Sequence, residues 1–413
     1  MEELNSKINV LSLNMCLNKM KEILIISNYY PPEKGAAANR IEQLAKKLMQ
    51  NNYKVSVLCP LGNYPKGELF SEYKGKFSVT ENREGINVKR LWIYPSVSKN
   101  ILVRIISVLS FSIGLFFFLL FKKTPEKIIV QSPPLFISFI SIFILSLKSK
   151  KIILNVSDLW PLAAIELKAI KENSLSHKFS LIMERFIYKK ATLIIGQSNE
   201  IITHIRSYFP QKKCYLYRNF PEHDVSKVEI ETTGKQPIKI FYAGLLGIAQ
   251  GVLELCQNID LEGLNIEIHL FGDGAEKKEI VKLISSSKQQ KIFFHGMMDR
   301  KELYENIKTF DVAIVPLKTR IYGSVPSKIF EYGSIGFPIL YFGGGEGENI
   351  VEENKLGWVA KVGDYSDLNS NLKIISECSN LDIATMKEIV RKNSKANFDL
   401  EKQIKILLEE DVF

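Results

Sequence analysis

The sequence predicts an α/β protein of two doubly wound, Rossmann-like domains, and three observations predict it. At 413 residues the chain is too long for one ordinary core. Short apolar runs rich in β-branched residues alternate with helical segments, with glycines where the runs end. A polar, charged stretch, residues 221–237, separates two such series and reads as an interdomain linker.

The first series starts after residues 1–19, which carry no twin-Arg or small-residue cleavage pattern and are read as an extension without a role in the fold. Lys21–Ser27 is an apolar strand; the loop Asn28–Gly35 leads into a helix over Ala37–Met49, and Lys54–Cys59 is the next strand. This order places the loop at the carboxyl edge of a parallel sheet, where Gly35 permits either a tight turn or the approach of a substrate. Residues 101–121 and 135–147 are the most apolar stretches. The first approaches the ~20 residues that span a bilayer, but Arg104 lies in its first turn. A span, buried core helices and helices that dip into one leaflet are the three readings. The flanking Lys99, Arg104, Lys122, Lys123, Lys148, Lys150 and Lys151 favour the last, since they suit anionic headgroups. Between the two helices Ser132-Pro-Pro134 follows a strand, and Ser157-Asp-Leu-Trp-Pro161 follows the strand Lys151–Val156. Asp158 and Trp160 are placed to touch a ligand, and Asp158 serves equally as a helix cap. Strands over Leu193–Gly196 and Tyr215–Asn219 close a domain of residues 20–220.

The second series, residues 238–395, runs through strands over Ile238–Tyr242, Ile266–Phe271, Lys291–Phe294, Asp311–Val315 and Pro338–Phe342, with glycine-bearing loops at their ends. Its focus is Val325–Gly336, VPSKIFEYGSIG, a helix opening at Pro326 and Ser327 directly after a buried strand. The unpaired amides at such a helix start favour an anion, and Lys328 adds a full charge beside them. One turn on, Glu331 offers a carboxylate to ribose hydroxyls. A capped core helix with a surface Lys and Glu explains the same residues equally well. Residues 396–413 read as a last amphipathic helix.

Composition narrows the function classes. Residues 1–222 hold 32 Lys and Arg against 16 Asp and Glu, whereas the remainder holds 23 against 29. The front half therefore suits an anionic partner, such as membrane headgroups or a phosphate-bearing acceptor. Nucleic acid is disfavoured because the lysines are spread out without an aromatic-rich basic motif. Five cysteines without paired spacing suit a reducing compartment and outline no zinc site.

The order of motifs resembles the retaining glycosyltransferases of family 4, and within it the bacterial surface-polysaccharide branch that makes O-antigen and capsule. The resemblance covers nearly everything after Met20. It rests on NYYPPEKG, SPPLF, SDLWP, YAGLLGIAQG, FGDG, FHGMMDRKELYENIKTFDVAIVPL, VPSKIFEYGSIGFPIL and GGGEGENIVEEN in that order. It implies the GT-B fold, two facing Rossmann-like domains with a cleft between them, the C-terminal helix packing back on the first domain. By resemblance the second domain binds a nucleotide sugar, expected to be UDP-linked, through Gly244, Gly247, Gln250, Gly272, His295, Met297, Met298, Pro326, Ser327, Lys328, Ile329 and Glu331. The first holds a polyprenyl-diphosphate-linked saccharide acceptor through Gly35, Asn39, Arg40, Ser132 and Trp160. The expected location is cytoplasmic, peripheral to the inner face of the cell membrane.

Departures from the family pattern shape the expected chemistry. Of two glutamates that family members carry eight positions apart, the first falls here at Gly323. The basic pair that neutralises the diphosphate corresponds to Leu245 and Gln250. Lys328 is then the first choice for that charge, followed by Arg320 and Lys318, while Asp158 lies nearest to the role of an acceptor-domain histidine. No Asp-x-Asp pair or His cluster offers a metal site, so the reaction is expected to need neither metal nor other cofactor. A GT-B nucleotide-sugar epimerase and a catalytically inactive membrane-associated nucleotide-sugar-binding protein are the alternatives.

Overall fold

The computed structural model describes residues 21–33, 35–64, 67–96, 100–221, 230, 237–286 and 291–413. The expected extension, most of the expected linker and Lys99 lie outside the described residues. The chain divides into two compact units: Met1–Gly196 with Ile201–Leu216 and Ile406–Phe413, and Gln197–Glu200 with Tyr217–Lys405.

The first unit is built on an eight-stranded sheet ordered β3-β4-β2-β1-β5-β6-β7-β8. Its strands are β1 (Lys21–Ile26), β2 (Tyr53–Pro60), β3 (Ser78–Arg83), β4 (Ile86–Leu91), β5 (Lys127–Ser132), β6 (Lys151–Val156), β7 (Leu193–Gly196) and β8 (Cys214–Leu216). All neighbours are parallel except β3 and β4, which form an antiparallel hairpin that the sequence reading does not list. Its turn, Glu84-Gly85, takes positive φ at both residues, the backbone that a two-residue hairpin requires. Glutamate is an unusual first residue for that turn, which removes the local signal. Helix α1 (Ala36–Gln50) follows β1 and buries Ile41, Leu44 and Leu48.

Helices α2 (Ile101–Phe121) and α3 (Leu135–Leu147) occupy the two apolar stretches. On α2, Phe111, Leu115 and Leu119 are fully buried and recur at helical spacing, so one face packs inward. The opposite face is also apolar but open: Leu102 is 64% exposed, Ile113 59% and Phe121 73%. Phe186 of α5 (Leu175–Lys190) packs edge-on to Phe139 of α3 at 5.1 Å, and α5 adds Phe179 and Ile182 to the exposed apolar residues. Two of the expected headgroup cations are spent otherwise. Lys148 Nζ donates to the carbonyls of Leu119 and Leu120, and Lys150 Nζ to that of Thr124. Those carbonyls close the end of α2 and the turn after it, where helical partners run out, so the amines are drawn to them.

The second unit contains a six-stranded, all-parallel sheet, ordered β11-β10-β9-β12-β13-β14. Its strands are β9 (Ile238–Leu245), β10 (Ile266–Asp273), β11 (Ile292–Gly296), β12 (Val312–Pro316), β13 (Ile339–Phe342) and β14 (Gly357–Val359). The order is that of a dinucleotide-type doubly wound fold, and the winding reverses between β9 and β12. Helices in this unit include α7 (Val252–Asn258), α9 (Arg300–Ile307), α10 (Ser327–Ile335), α11 (Glu346–Glu353) and α13 (Asn380–Asn397). The expected terminal helix over 396–413 is shorter, α14 (Leu400–Glu409). The chain breaks at Phe398, and Asp399 Oδ1 then accepts the amides of Glu401 and Lys402, restarting the helix as an N-cap.

Candidate active site in the second unit

Where the winding of a parallel sheet reverses, the loops leaving two neighbouring strands diverge and leave a crevice at their carboxyl ends. Here β9 ends at Leu245 and β12 at Pro316, and a cavity of about 250 Å³ opens beside them. Its lining includes Leu245, Gln250, Pro316, Thr319, Ile321, Ser324, Ser327 and Lys328.

Helix α10 enters this crevice end-on. Pro326 precedes it in an extended conformation and no side chain caps it, so its first amides are left to a ligand or water. The C-terminal end closes with Gly336 in the left-handed region, satisfying carbonyls of the last turn. Ile329 and Phe330 are buried, Phe330 edge-on to Phe220 and Phe398, while Ser327 and Lys328 line the cavity. Ile329 is itself fully buried, and its amide donates to Pro326 O at 3.2 Å.

Lys328 is held by aromatic surface rather than by a carboxylate. Its Nζ lies 5.2 Å from the ring centroid of Tyr332, whose hydroxyl donates to Ala243 O at 2.8 Å. Among the described residues no ion pair engages Lys328. The side chain crosses Gly244: a Cβ there would stand 2.6 Å from Lys328 Cε and 2.9 Å from Tyr242 Oη. Tyr242 Oη donates to Leu245 O at 2.7 Å, and burial holds its phenol well above the ordinary range, with Lys328 opposing the shift. The two other expected cations are paired, Lys318 with Glu254 at 2.5 Å and Arg320 with Glu200.

Glu331, one turn into α10, accepts from Tyr304 Oη at 2.7 Å and lies 3.5 Å from Arg300 Nη2. Both partners come from α9 and were invisible in the sequence pattern, because their role depends on two helices lying side by side. His295 stacks on Phe271 at 4.5 Å, and its Nε2 lies 2.9 Å from His269 Nδ1. His269 Nε2 in turn lies 3.2 Å from Glu267 Oε2, and desolvation, assisted by His295, lowers His269 to about 3. The imidazole of His269 is therefore neutral at physiological pH. Met297 is exposed and Met298 half-buried just beyond this stack. Gly272, expected at the base-binding wall, has a nearer reason to be glycine. A Cβ there would stand 1.8 Å from Gly244 O on the neighbouring strand. Gly247 is buried in the turn after β9, with Gln250 Oε1 close against it.

The expected acceptor residues gather at the carboxyl edge of the first unit's sheet. Gly35 precedes α1 and accepts the Asn39 amide, and Asn39 is exposed. Arg40 is buried and donates to Asn155 Oδ1 at 2.8 Å; Asn155 donates on to Gln131, and Gln131 to Ser157 Oγ at 2.7 Å. Ser132 is buried too, its carbonyl taken by Ser157. Asp158 follows β6 without a hydrogen-bond partner among the described residues and caps no helix. Desolvation pushes its carboxyl up to about 6, Arg40 opposing. Trp160 lies beside it, half-buried.

The comparisons with known proteins fit this geometry. The family described as glycosyl transferases group 1 matches residues 225–395, less than half of the chain but all of the second unit's sheet. No curated protein matches. Solved structures match over nearly the whole chain. They include sucrose-phosphate synthase from Thermosynechococcus elongatus (TM-score 0.69, 14% identity, 94% of this chain and 98% of that one). Anabaena HepE in complex with UDP is similar at TM-score 0.66 and 12% identity, over 95% and 99%. So is the lipopolysaccharide outer core galactosyltransferase WaaB, at 0.62 and 14%, over 94% and 99%. At such identities the likeness establishes the fold: two Rossmann-like domains of the GT-B kind.

Proposed function

We propose that the chain is a retaining glycosyltransferase that moves a sugar from a nucleotide sugar, UDP-linked, to a lipid-linked saccharide. The carrying observation is the cavity at the sheet's reversal point, into which α10 presents an uncapped N-terminus and a lysine without a counter-ion. A diphosphate fits that combination of amides and fixed charge. Glu331, held by Tyr304 and Arg300, is one helical turn further and takes the ribose hydroxyls. The match to glycosyl transferases group 1 and the UDP bound to the Anabaena neighbour support the donor class.

In this reading the bond from the anomeric carbon to the diphosphate oxygen breaks while the acceptor hydroxyl attacks from the same face. The hydroxyl proton passes to the departing phosphate oxygen. Lys328 and the α10 amides take up the charge developing on that oxygen, so no metal ion is required. Asp158, Arg40 and Trp160 in the first unit serve the acceptor. The exposed apolar faces of α2, α3 and α5 rest on the inner leaflet, next to a polyprenyl-diphosphate-linked acceptor of surface polysaccharide synthesis. Purified protein incubated with UDP-, GDP- and dTDP-sugars, with and without lipid-linked acceptor, tests the proposal. Transfer that requires both substrates supports it. Donor conversion without acceptor identifies an epimerase, and no reaction with any pair leaves only a binding protein.

A further inference from the structure

The rim of the cavity is a loop, residues 317–326, and one carboxylate from far away in sequence holds it. Residues 197–200 belong to the second unit. From there Ser198 Oγ donates to Gly323 O at 2.7 Å, and Gly323 N donates to Glu200 Oε2 at 2.7 Å. Both main-chain polar groups of Gly323 are thus fixed, and a carboxylate stands at a position whose own residue has no side chain. Glu200 Oε1 accepts from Arg320 Nη2, and the guanidinium lies along Gly345, where a Cβ would stand 2.7 Å from its Nε.

Glu200 is itself anchored. The carboxylate of Glu346, buried at the start of α11, accepts the amides of Asn199 and Glu200 at 3.0 Å each and pairs with Arg218 at 2.6 Å. The result is two ion pairs, Arg218–Glu346 and Glu200–Arg320, joined where the Glu200 amide donates to Glu346, and the second ends at the cavity rim between Thr319 and Ile321. A long arginine side chain at a half-open rim samples many rotamers, and ordering it costs rotamer entropy. A fixed carboxylate meets that cost before any ligand arrives.

We propose that Glu200 is a positioning residue of the donor site: it holds the Gly323 main chain and aims Arg320 at the phosphoryl oxygens on the sugar side of the diphosphate. The proposal rests on the donor reading above, and the experiment separates the two. Hydrogen exchange of residues 317–326, UDP affinity and steady-state turnover of the nucleotide sugar accepted in the panel are measured for the full chain and for Glu200→Ala and Glu200→Gln. Glu200→Ala raises exchange across the loop, lowers kcat ~10-fold or more, and leaves UDP affinity within ~3-fold, since α10 and Glu331 are untouched. Glu200→Gln still accepts from Gly323 N and so keeps the loop protected, yet it loses the charge that orients Arg320, so its kcat stays low. Wild-type turnover in Glu200→Gln, or unchanged exchange in Glu200→Ala, overturns the proposal. A wild-type chain that neither binds UDP nor turns over any donor overturns the donor reading, and Arg320's assigned target with it, while the exchange data alone decide whether Glu200 holds the loop.

Discussion

Replacing Lys328 with alanine removes the one cation the cavity wall holds without a counter-charge among the described residues. The donor already carries its diphosphate charge when it binds, so that part of the interaction is shared by ground and transition states. Only the charge appearing on the leaving oxygen is new, and only its stabilisation accelerates the reaction. For one unit charge about 4 Å from an ammonium in a site of effective dielectric ~20, Coulomb's law gives ~4 kcal/mol. The loss of a single preorganised donor from such a site typically costs ~10²–10³ in kcat. Lys328→Ala therefore lowers kcat by ~10²–10³ and raises the donor KM less than ~5-fold. Its folding stability should move by no more than ~0.5 kcal/mol, because the ammonium is half-exposed and breaks no ion pair. Steady-state kinetics over a donor concentration series, with a thermal melt as control, reads all three. Equal losses in kcat and in donor affinity would show that Lys328 only binds, and the assignment of transition-state charge to it would be wrong.

Gly244→Ala puts a methyl group 2.6 Å from Lys328 Cε and 2.9 Å from Oη of the buried Tyr242, so turnover should fall and a thermal melt should show a loss of about 1–3 kcal/mol of stability. In the double variant with Lys328→Ala the two losses in turnover should not add, and additive losses would separate Gly244 from Lys328. Asp158 keeps its proton up to about 6 in the folded chain against an ordinary value of 3.8, so the native state binds the proton more tightly and stability falls as pH rises across that window. Asp158→Asn should accordingly raise the melting temperature at pH 7.5 and leave it unchanged at pH 4; the same shift at both pH values refutes the desolvated carboxyl. Ile113→Glu with Phe117→Glu places two charges on the exposed face of α2. Flotation with vesicles rich in anionic lipid should be lost while the melting temperature is kept, and undiminished flotation would remove α2 from the lipid-facing surface.

Much of the architecture is legible in the sequence because it depends on local pattern. Helices over 101–121 and 135–147 occupy the expected residues, and the focal helix opens at Ser327 as Pro326 and the preceding apolar run foretell. The cavity is legible too, since a parallel sheet with glycine-bearing strand ends concentrates its ligand edge at one place. What escapes is whatever depends on distant residues meeting. Glu200 reaches Gly323 across 123 positions, Tyr304 and Arg300 support Glu331 from another helix, and His269 finds His295 across two strands. Arg320 and Lys318 read as available cations in the sequence, yet both have carboxylate partners in the fold. Gly272 is a donor contact by resemblance, and the fold adds a reason no linear motif reveals: the adjacent strand's carbonyl forbids a side chain there. Lys148 and Lys150 show the same limit, their amines being taken by helix-end carbonyls that no linear motif reveals.

The most direct measurement is a crystal structure of the chain with UDP bound. The diphosphate should sit at the start of α10, its oxygens within hydrogen-bonding reach of the Ser327 and Lys328 amides and of Lys328 Nζ, with the ribose hydroxyls on Glu331. A diphosphate bound elsewhere, with the first turn of α10 left to water, would contradict it.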